Sequence, residues 1–458
     1  MSILFLFRRD LRLRDNIGLR EALKHNKPVL PIFIFTPEQV GPKNKFRSNN
    51  AIQFMIESLL ELDAELRKYN SKLHIFYGDT IHVLKKIRML IPIEKIVCNM
   101  DYTPYAIKRD NEIDTTFHNI DVILCEDYLL SPIGSFLKDN DEPYKVFTPF
   151  LRRVLTDKHK ISKPLRYSLS NLSTNHKLKS LEDDYIDYEK NTDIMVHGGR
   201  KYALQLLAKL KYQKSYNKDR GDLSKETTHL SAYIKFGNLS IREVYHKMKD
   251  TLGLESGLIS QLIWREFYYY IAFYFPYVFN QKESSNFNGK PNIKWETSKT
   301  EFKKWADGKT GFPIIDAGMR QMNKTGYMHN RARLLTSNFL NRMLLQDWHV
   351  GEKYFAQKLT DYDPSVNNGN WQWTASTGVD TKPYKQRIYN PWLQSERYDK
   401  DAIYIKKWMP ELKDIPAKHL HKWHLYCDKP EYKYLNYKPM IVYEERRQLS
   451  IKKYDDIN

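Results

Sequence analysis

A chain of 458 residues is too long for one ordinary core, so two or three lobes are expected. Its 74 Lys and Arg against 55 Asp and Glu leave a net charge of +19 on a chain that is 41% hydrophobic, which excludes a basic disordered tail and favours a polyanionic partner, nucleic acid first. Cys98, Cys125 and Cys427 lie far apart with no CxxC or Cys/His spacing, which argues against a zinc site or disulfide framework and for a reducing intracellular compartment, cytoplasmic or nuclear.

The start, MSILFLFRRDLRLR, has its apolar run before its charges, whereas a signal peptide needs the reverse order, so it reads as a first strand. Through residue 125 the β-branched runs ILFLF, VLPIFIF, KLHIFYG, KIVCN and DVILC alternate with amphipathic windows such as IGLREALK and Ile52 to Leu66. That pattern predicts βαβ units and a doubly wound parallel sheet over residues 1–125. No GxGxxG follows the first strand and no GxxxxGK[ST] occurs, so a phosphate-cradling glycine loop is not expected in this lobe.

Residues 126–191 read as a connector, rich in Lys, Ser and Asn through LSNLSTNHKLKS. From residue 192 to 458 the strand signals vanish and helical periods dominate, with Ser240 and Thr300 as expected caps. The most apolar window, from Leu258 to Phe279, carries Gln261, Arg265 and Glu266 near its beginning. Charges there are costly in lipid, so a buried helix is expected and no membrane span.

Within this all-α lobe, chemistry-bearing residues concentrate in a few stretches. Thr227, Thr228 and Ser231 of KETTHLSAYIKFG place hydroxyls ahead of an apolar helix, where they can hold phosphate or simply cap the helix. SQLIWREF sets Gln261, Trp264 and Arg265 three and four apart on one helix. GYMHNRARLL packs His329, Asn330, Arg331 and Arg333 together, and LTDYDPSVNNGNWQWTAS supplies Asp361, Asp363 and neutral amides beside two indoles. Asp361 and Arg333 are candidate partners, because buried charges need pairing.

In order and spacing, FRRDLRLRDN, TTHLSAYIKFG, QLIWREFY, GKTGFPIIDAGMRQM, GYMHNRARLL, NNGNWQWTAS, RIYNPWLQSERYD and WMPEL resemble the photolyase and cryptochrome family, from Ser2 to about residue 446. MHNRAR and NNGNWQWTASTG are most similar to the class I cyclobutane pyrimidine dimer photolyases. The resemblance implies an α/β antenna domain, a helical FAD-binding domain, and light-driven dimer splitting by an electron from excited reduced FAD. It implies UV-damaged DNA as substrate and a monomeric enzyme.

By the same resemblance, Tyr216, Thr227, Thr228, His229, Leu230, Ser231 and Arg265 would surround the FAD phosphates, and Asp361, Tyr362 and Asp363 would line the ribityl and adenine side with Arg333 paired to Asp361. Asn367 would face the flavin N5 edge, where an amide can donate or accept without adding charge. Trp371, Trp348 and Trp295 match the inner, middle and outer members of the family's electron-transfer chain. Gln261, Trp264, Asn330, Leu334 and Trp373 would form the lesion pocket, and Arg331, Arg387 and Gln394 would contact the DNA strand.

Two positions depart from the class I pattern. Gln261 stands where glutamate is usual and Leu334 where methionine is usual. Glutamine can hydrogen-bond a thymine carbonyl but supplies no carboxyl proton, and it is also the residue of 6-4 photolyases. Those enzymes use two histidines where this chain has Asn330 and Leu334; His329 is one helical step away, a rotation of about 100 degrees. A cryptochrome-type photoreceptor is the other rival, against which Asn330, Trp373 and the short tail count. An antenna chromophore in the first lobe is implied: DYTPYAIKRD lacks the glutamate expected for folate, leaving a deazaflavin, a flavin or none open.

Overall fold

The computed structural model describes residues 1–180, 186–280, 285–291, 293–380 and 382–457. Residues 181–185 of the expected connector lie outside the described residues.

Five strands form the first lobe: β1 Ser2–Phe7, β2 Val29–Phe35, β3 His74–Tyr77, β4 Ile93–Asn99 and β5 Asp121–Cys125. All pair in parallel in the order β3-β2-β1-β4-β5. Each falls on one of the β-branched runs. Both faces of β1 and β2 are covered, which is why these strands read as continuous apolar runs and not as alternation. Pro31 has no amide to give to a ladder, and the β3 pairing begins only at Ile32, one residue beyond it.

The crossover helices are α1 Ile17–Leu23, α2 Asn49–Arg67, α3 Thr80–Leu90 and α4 Pro104–Thr116. Asn16, Ser48, Asp79 and Thr103 cap them by accepting backbone amides. Because β2 and β3 lie on one side of β1 and β4 and β5 on the other, the strand order reverses between β1 and β4. A crevice opens there, at the carboxyl ends of the strands.

Helices dominate the second lobe. Those that shape the site are α5 Ser231–Lys235, α6 Gly257–Tyr274, α7 Asn330–Asn338, α8 Trp348–Lys358 and α9 Pro364–Ala375; α10 Tyr443–Asp455 follows. Ser240 caps the helix Ile241–Leu252 as expected, accepting from Arg242 N and Glu243 N. Thr300 is not a cap: helix Lys299–Ala306 begins earlier, and Ser298 accepts the Glu301 amide. Both are hydroxyls before the same apolar run, and the earlier one wins because its extended backbone can turn the side chain onto the first helical turn. α6 is buried along most of its length, and no described helix is long and apolar enough to cross a membrane.

Buried charge joins the lobes. Arg12 and Asp127 of the first lobe pair with each other, and Arg242 of the second donates to Asp127 at 2.7 Å and pairs with Asp15 at 3.2 Å. All four side chains are essentially inaccessible to solvent.

Candidate functional site

The Thr227 to Ser231 stretch enters α5 without a side-chain cap at Leu230, so no side chain occupies the helix's first amide donors. Thr227 Oγ1 lies 2.7 Å from the Tyr327 hydroxyl, and Thr228 Oγ1 accepts weakly from the Leu230 amide at 3.5 Å. His229 sits in the left-handed region with φ 52, a conformation a non-glycine residue adopts at some cost. Its Nε2 is 2.6 Å from Glu226, while Nδ1 is buried with no partner among the described residues. Ser231 is exposed, and Tyr216 is half-buried beside Gly257, where a side chain would collide with Asn217.

Arg333 is held by Met328 O at 2.8 Å and meets Asp361 through Nη2 at 2.9 and 3.1 Å, one nitrogen bridging both carboxylate oxygens. Asp363 caps α9 by accepting from Ser365 N and Val366 N. One turn later Asn367 donates to Glu352 O at 3.3 Å, fixing its amide on the same side of α9. Hydroxyls, an uncapped helix start, a paired arginine and a neutral amide form a donor set that fits a dinucleotide with a heteroaromatic ring.

Trp371 is buried on α9 against Gly351 of α8, where a Cβ would stand 2.2 Å from the indole. Only glycine lets the two helices approach so closely there. Trp348 opens α8, is fully buried, and stacks on His349 at 3.7 Å. Trp295 is half-buried and lies beside Glu296, which bridges to Gln346 just ahead of α8. The segment carrying Trp295 thus meets the chain just ahead of α8, Trp348 opens that helix, and Trp371 packs on it at Gly351. Sequence reading missed Trp305, a fully buried indole edge-on to Trp371 at 6.3 Å.

Trp264 and Trp373 are both half-buried, and each has one face already covered. Phe147 stacks on Trp264 at 3.6 Å and 9°, and the Arg387 guanidinium lies 4.0 Å over Trp373. Gln261 and Leu334 are half-buried and Asn330 is exposed. Arg331 lies over Tyr398 at 4.2 Å, with Nε buried and unpartnered among the described residues. Gln394 stands on helix Pro391–Tyr398, half-buried. His329 is the cap of α7: its Nδ1 accepts from Arg331 N at 3.0 Å. Burial and the nearby Arg331 and Arg333 push its pKa down to about 4, so the ring is neutral, with Nε2 buried and unpartnered among the described residues.

Three residues of the expected site have partners within the protein. Arg265 donates to Glu266 and to Tyr128 O, both at 3.0 Å. The Tyr362 ring stacks on Phe46 of the first lobe at 6.1 Å. Arg387 is tied to Asp380 through two nitrogens. Phe147, Asp380 and Tyr128 could not be paired with these residues from spacing: Phe147 and Tyr128 lie more than a hundred residues from Trp264 and Arg265, and Asp380 lies in an irregular segment.

The switch-point crevice deepens into a cavity of about 460 Å³, of the size that takes a small-molecule ring system. Phe33, Phe46, Tyr105 and Phe236 are among its apolar walls, and Arg8, Arg9, Arg109 and Lys235 its basic ones. Arg9 donates to Asp101 at 2.9 Å and also pairs with Asp363, whose carboxylate receives the Tyr128 and Tyr269 hydroxyls as well. Burial alone would raise the Asp363 pKa, but Arg9 and Arg265 hold it down to about 2. The rule that ligands seat at the strand-order reversal could have pointed to Arg9, since FRRD directly follows β1.

The family profile described as DNA photolyase matches residues 3–167, and that for the FAD binding domain of DNA photolyase matches residues 258–456. The deoxyribodipyrimidine photo-lyase of Buchnera aphidicola is 33% identical over 98% of this chain and 95% of its own. An archaeal photolyase from Sulfolobus tokodaii, solved with two FAD molecules, is 37% identical with a TM-score of 0.87 and full coverage of both chains. A Synechocystis cryptochrome superposes with a TM-score of 0.89 at 25% identity, covering 98% of each. A two-lobed flavin-binding fold of this kind defines a class of light-driven flavoproteins, and the chain belongs to the DNA photolyase family.

Proposed function

We propose that this protein is a deoxyribodipyrimidine photolyase that splits cyclobutane pyrimidine dimers in DNA under blue or near-ultraviolet light. The observation that carries the reading is the pair of half-buried indoles, Trp264 and Trp373, each braced by a stacked partner and each partly open to an extruded base. Aromatic walls stabilise unstacked bases by about 1–3 kcal/mol each. Reduced FAD, when bound, supplies the photoexcited electron. The chain's own residues bind and orient: Thr227 to Ser231 would hold the phosphates, Arg333 and Asp361 the ribityl side, and Asn367 the N5 edge.

A 6-4 photolyase reading lacks its proton donor. Asn330 and Leu334 carry no imidazole, and the adjacent His329 is neutral and committed to capping α7. Trp295, Trp348 and Trp371 would return electrons to the flavin site. The cavity at the switch point would hold a second, light-harvesting chromophore. Its apolar walls and basic lining suit a flavin nucleotide, and the Sulfolobus tokodaii photolyase with its two FAD molecules supports that assignment.

The test is to photoreduce the purified protein and offer it dimer-containing and 6-4-containing DNA separately in light and in darkness. Loss of the dimer alone, and only in light, is expected. A dimer that persists in light would sink the assignment.

A further inference from the structure

The first-lobe cavity lies against the elements expected to hold the flavin. Arg9 lines the cavity and is ion-paired to Asp363, which caps α9, the helix carrying Asn367 and Trp371. α5 begins at Ser231 on the flavin side and ends at Lys235, which lines the cavity. Tyr362 and Pro364, neighbours of Asp361 and Asp363, also line it. An occupant of the cavity therefore touches the elements expected to hold the flavin.

We infer that the two pockets bind their occupants cooperatively, a phosphate-bearing ring system in the first-lobe cavity strengthening flavin retention in the helical lobe through the Arg9–Asp363 ion pair. The inference rests on reading the cavity as a second chromophore site.

The occupant's class follows from unsatisfied charge. Arg8 Nη2 and Arg109 Nη2 are buried with no hydrogen-bond partner, and Lys235 has no carboxylate partner, among the described residues. Lys235 instead packs its ammonium 3.5 Å over the Phe236 ring. A phosphate would satisfy such donors, and the aromatic walls would take a ring. The sign of the coupling follows from the same charges. Burial and the neighbouring Arg9 drive the Lys235 pKa down to about 7, against the pull of Asp363 and Asp361 ahead of α9 and of Asp101 after β4. An anion beside Lys235 relieves its repulsion with Arg9. Arg9 is thereby held more firmly on Asp363, the contact it already makes, and the capped start of α9 opens less often, which slows loss of the flavin.

The full chain loaded with FAD is mixed with riboflavin 5′-phosphate or with riboflavin, freed of unbound flavin, and analysed by chromatography for each flavin per chain. FAD release on mild heating is followed by its fluorescence. We expect the phosphate form to bind beside FAD and more tightly than riboflavin, and to slow FAD release by about fivefold or more. Lys235→Met should weaken uptake of the phosphate form. Arg9→Lys, which keeps the charge but loses the two-carboxylate reach, should lose most of the slowing even at a riboflavin 5′-phosphate concentration that fills the cavity. If riboflavin 5′-phosphate does not bind beside FAD, the second-chromophore reading fails and the coupling with it. If it binds while FAD release is unchanged or faster, the coupling alone is overturned.

Discussion

On the proposed reading, Gln261 and Leu334 would set the chemistry of the lesion pocket apart from that of the class I pattern. An amide can orient a thymine carbonyl but cannot lend a proton, so Gln261→Glu is expected to leave dimer splitting unchanged or make it faster, measured as repair per photon. A severe loss would mean that the pocket is built around a neutral amide. Trp371→Phe is expected to slow photoreduction of the bound flavin several-fold while sparing repair by chemically reduced enzyme; loss of both would remove Trp371 from the electron path. At this scale the sequence was informative where function needs a rare residue type in a tight motif. Arg333 and Asp361 were read as partners from charge and order, and they pair. It was silent where a side chain's partner is far along the chain: Arg9 meets Asp363 across 354 positions. No local pattern encodes such a contact.

Helix ends carry much of the site's precision. α7 is capped by an imidazole that works only while neutral. The His329 pKa lies near 4 when folded against about 6.5 unfolded, so acid favours the unfolded chain. The corresponding stability is fully present above pH 6.5 and is lost progressively down to pH 4, by up to about 3 kcal/mol. His329→Asn keeps a cap acceptor and removes the titration. Its stability relative to the parent, followed by denaturant unfolding, should therefore rise as pH falls through that window. Strands and long helices were legible because their periods repeat over many residues. The Ser298 cap was misread as Thr300 because two hydroxyls two apart satisfy the same rule, and only backbone conformation chooses between them.

Across the whole molecule, the excess of 19 positive charges favours contact with DNA phosphates, and affinity of that origin falls steeply with salt. Arg331 has no carboxylate partner among the described residues, whereas Arg387 is neutralised by Asp380. Arg331→Ala should thus lower the slope of log affinity against log salt by about one, and Arg387→Ala by clearly less, in titrations with damaged duplex. Equal effects would show that Arg387 leaves Asp380 when DNA binds. The two-lobed plan was legible from the change in period after the connector; the cavity at their junction was not, because its walls come from both lobes.

The buried quartet of Arg12, Asp15, Asp127 and Arg242 also has a history in time. During synthesis the first three emerge more than a hundred residues before the fourth. Until Arg242 leaves the ribosome, two aspartates share one arginine at a surface meant to be dry. The nascent sheet must therefore wait, partly hydrated, for its second half. Early termination before residue 242 should yield a chain that is soluble only with a chaperone's help, whereas termination within the last helix should not carry that penalty.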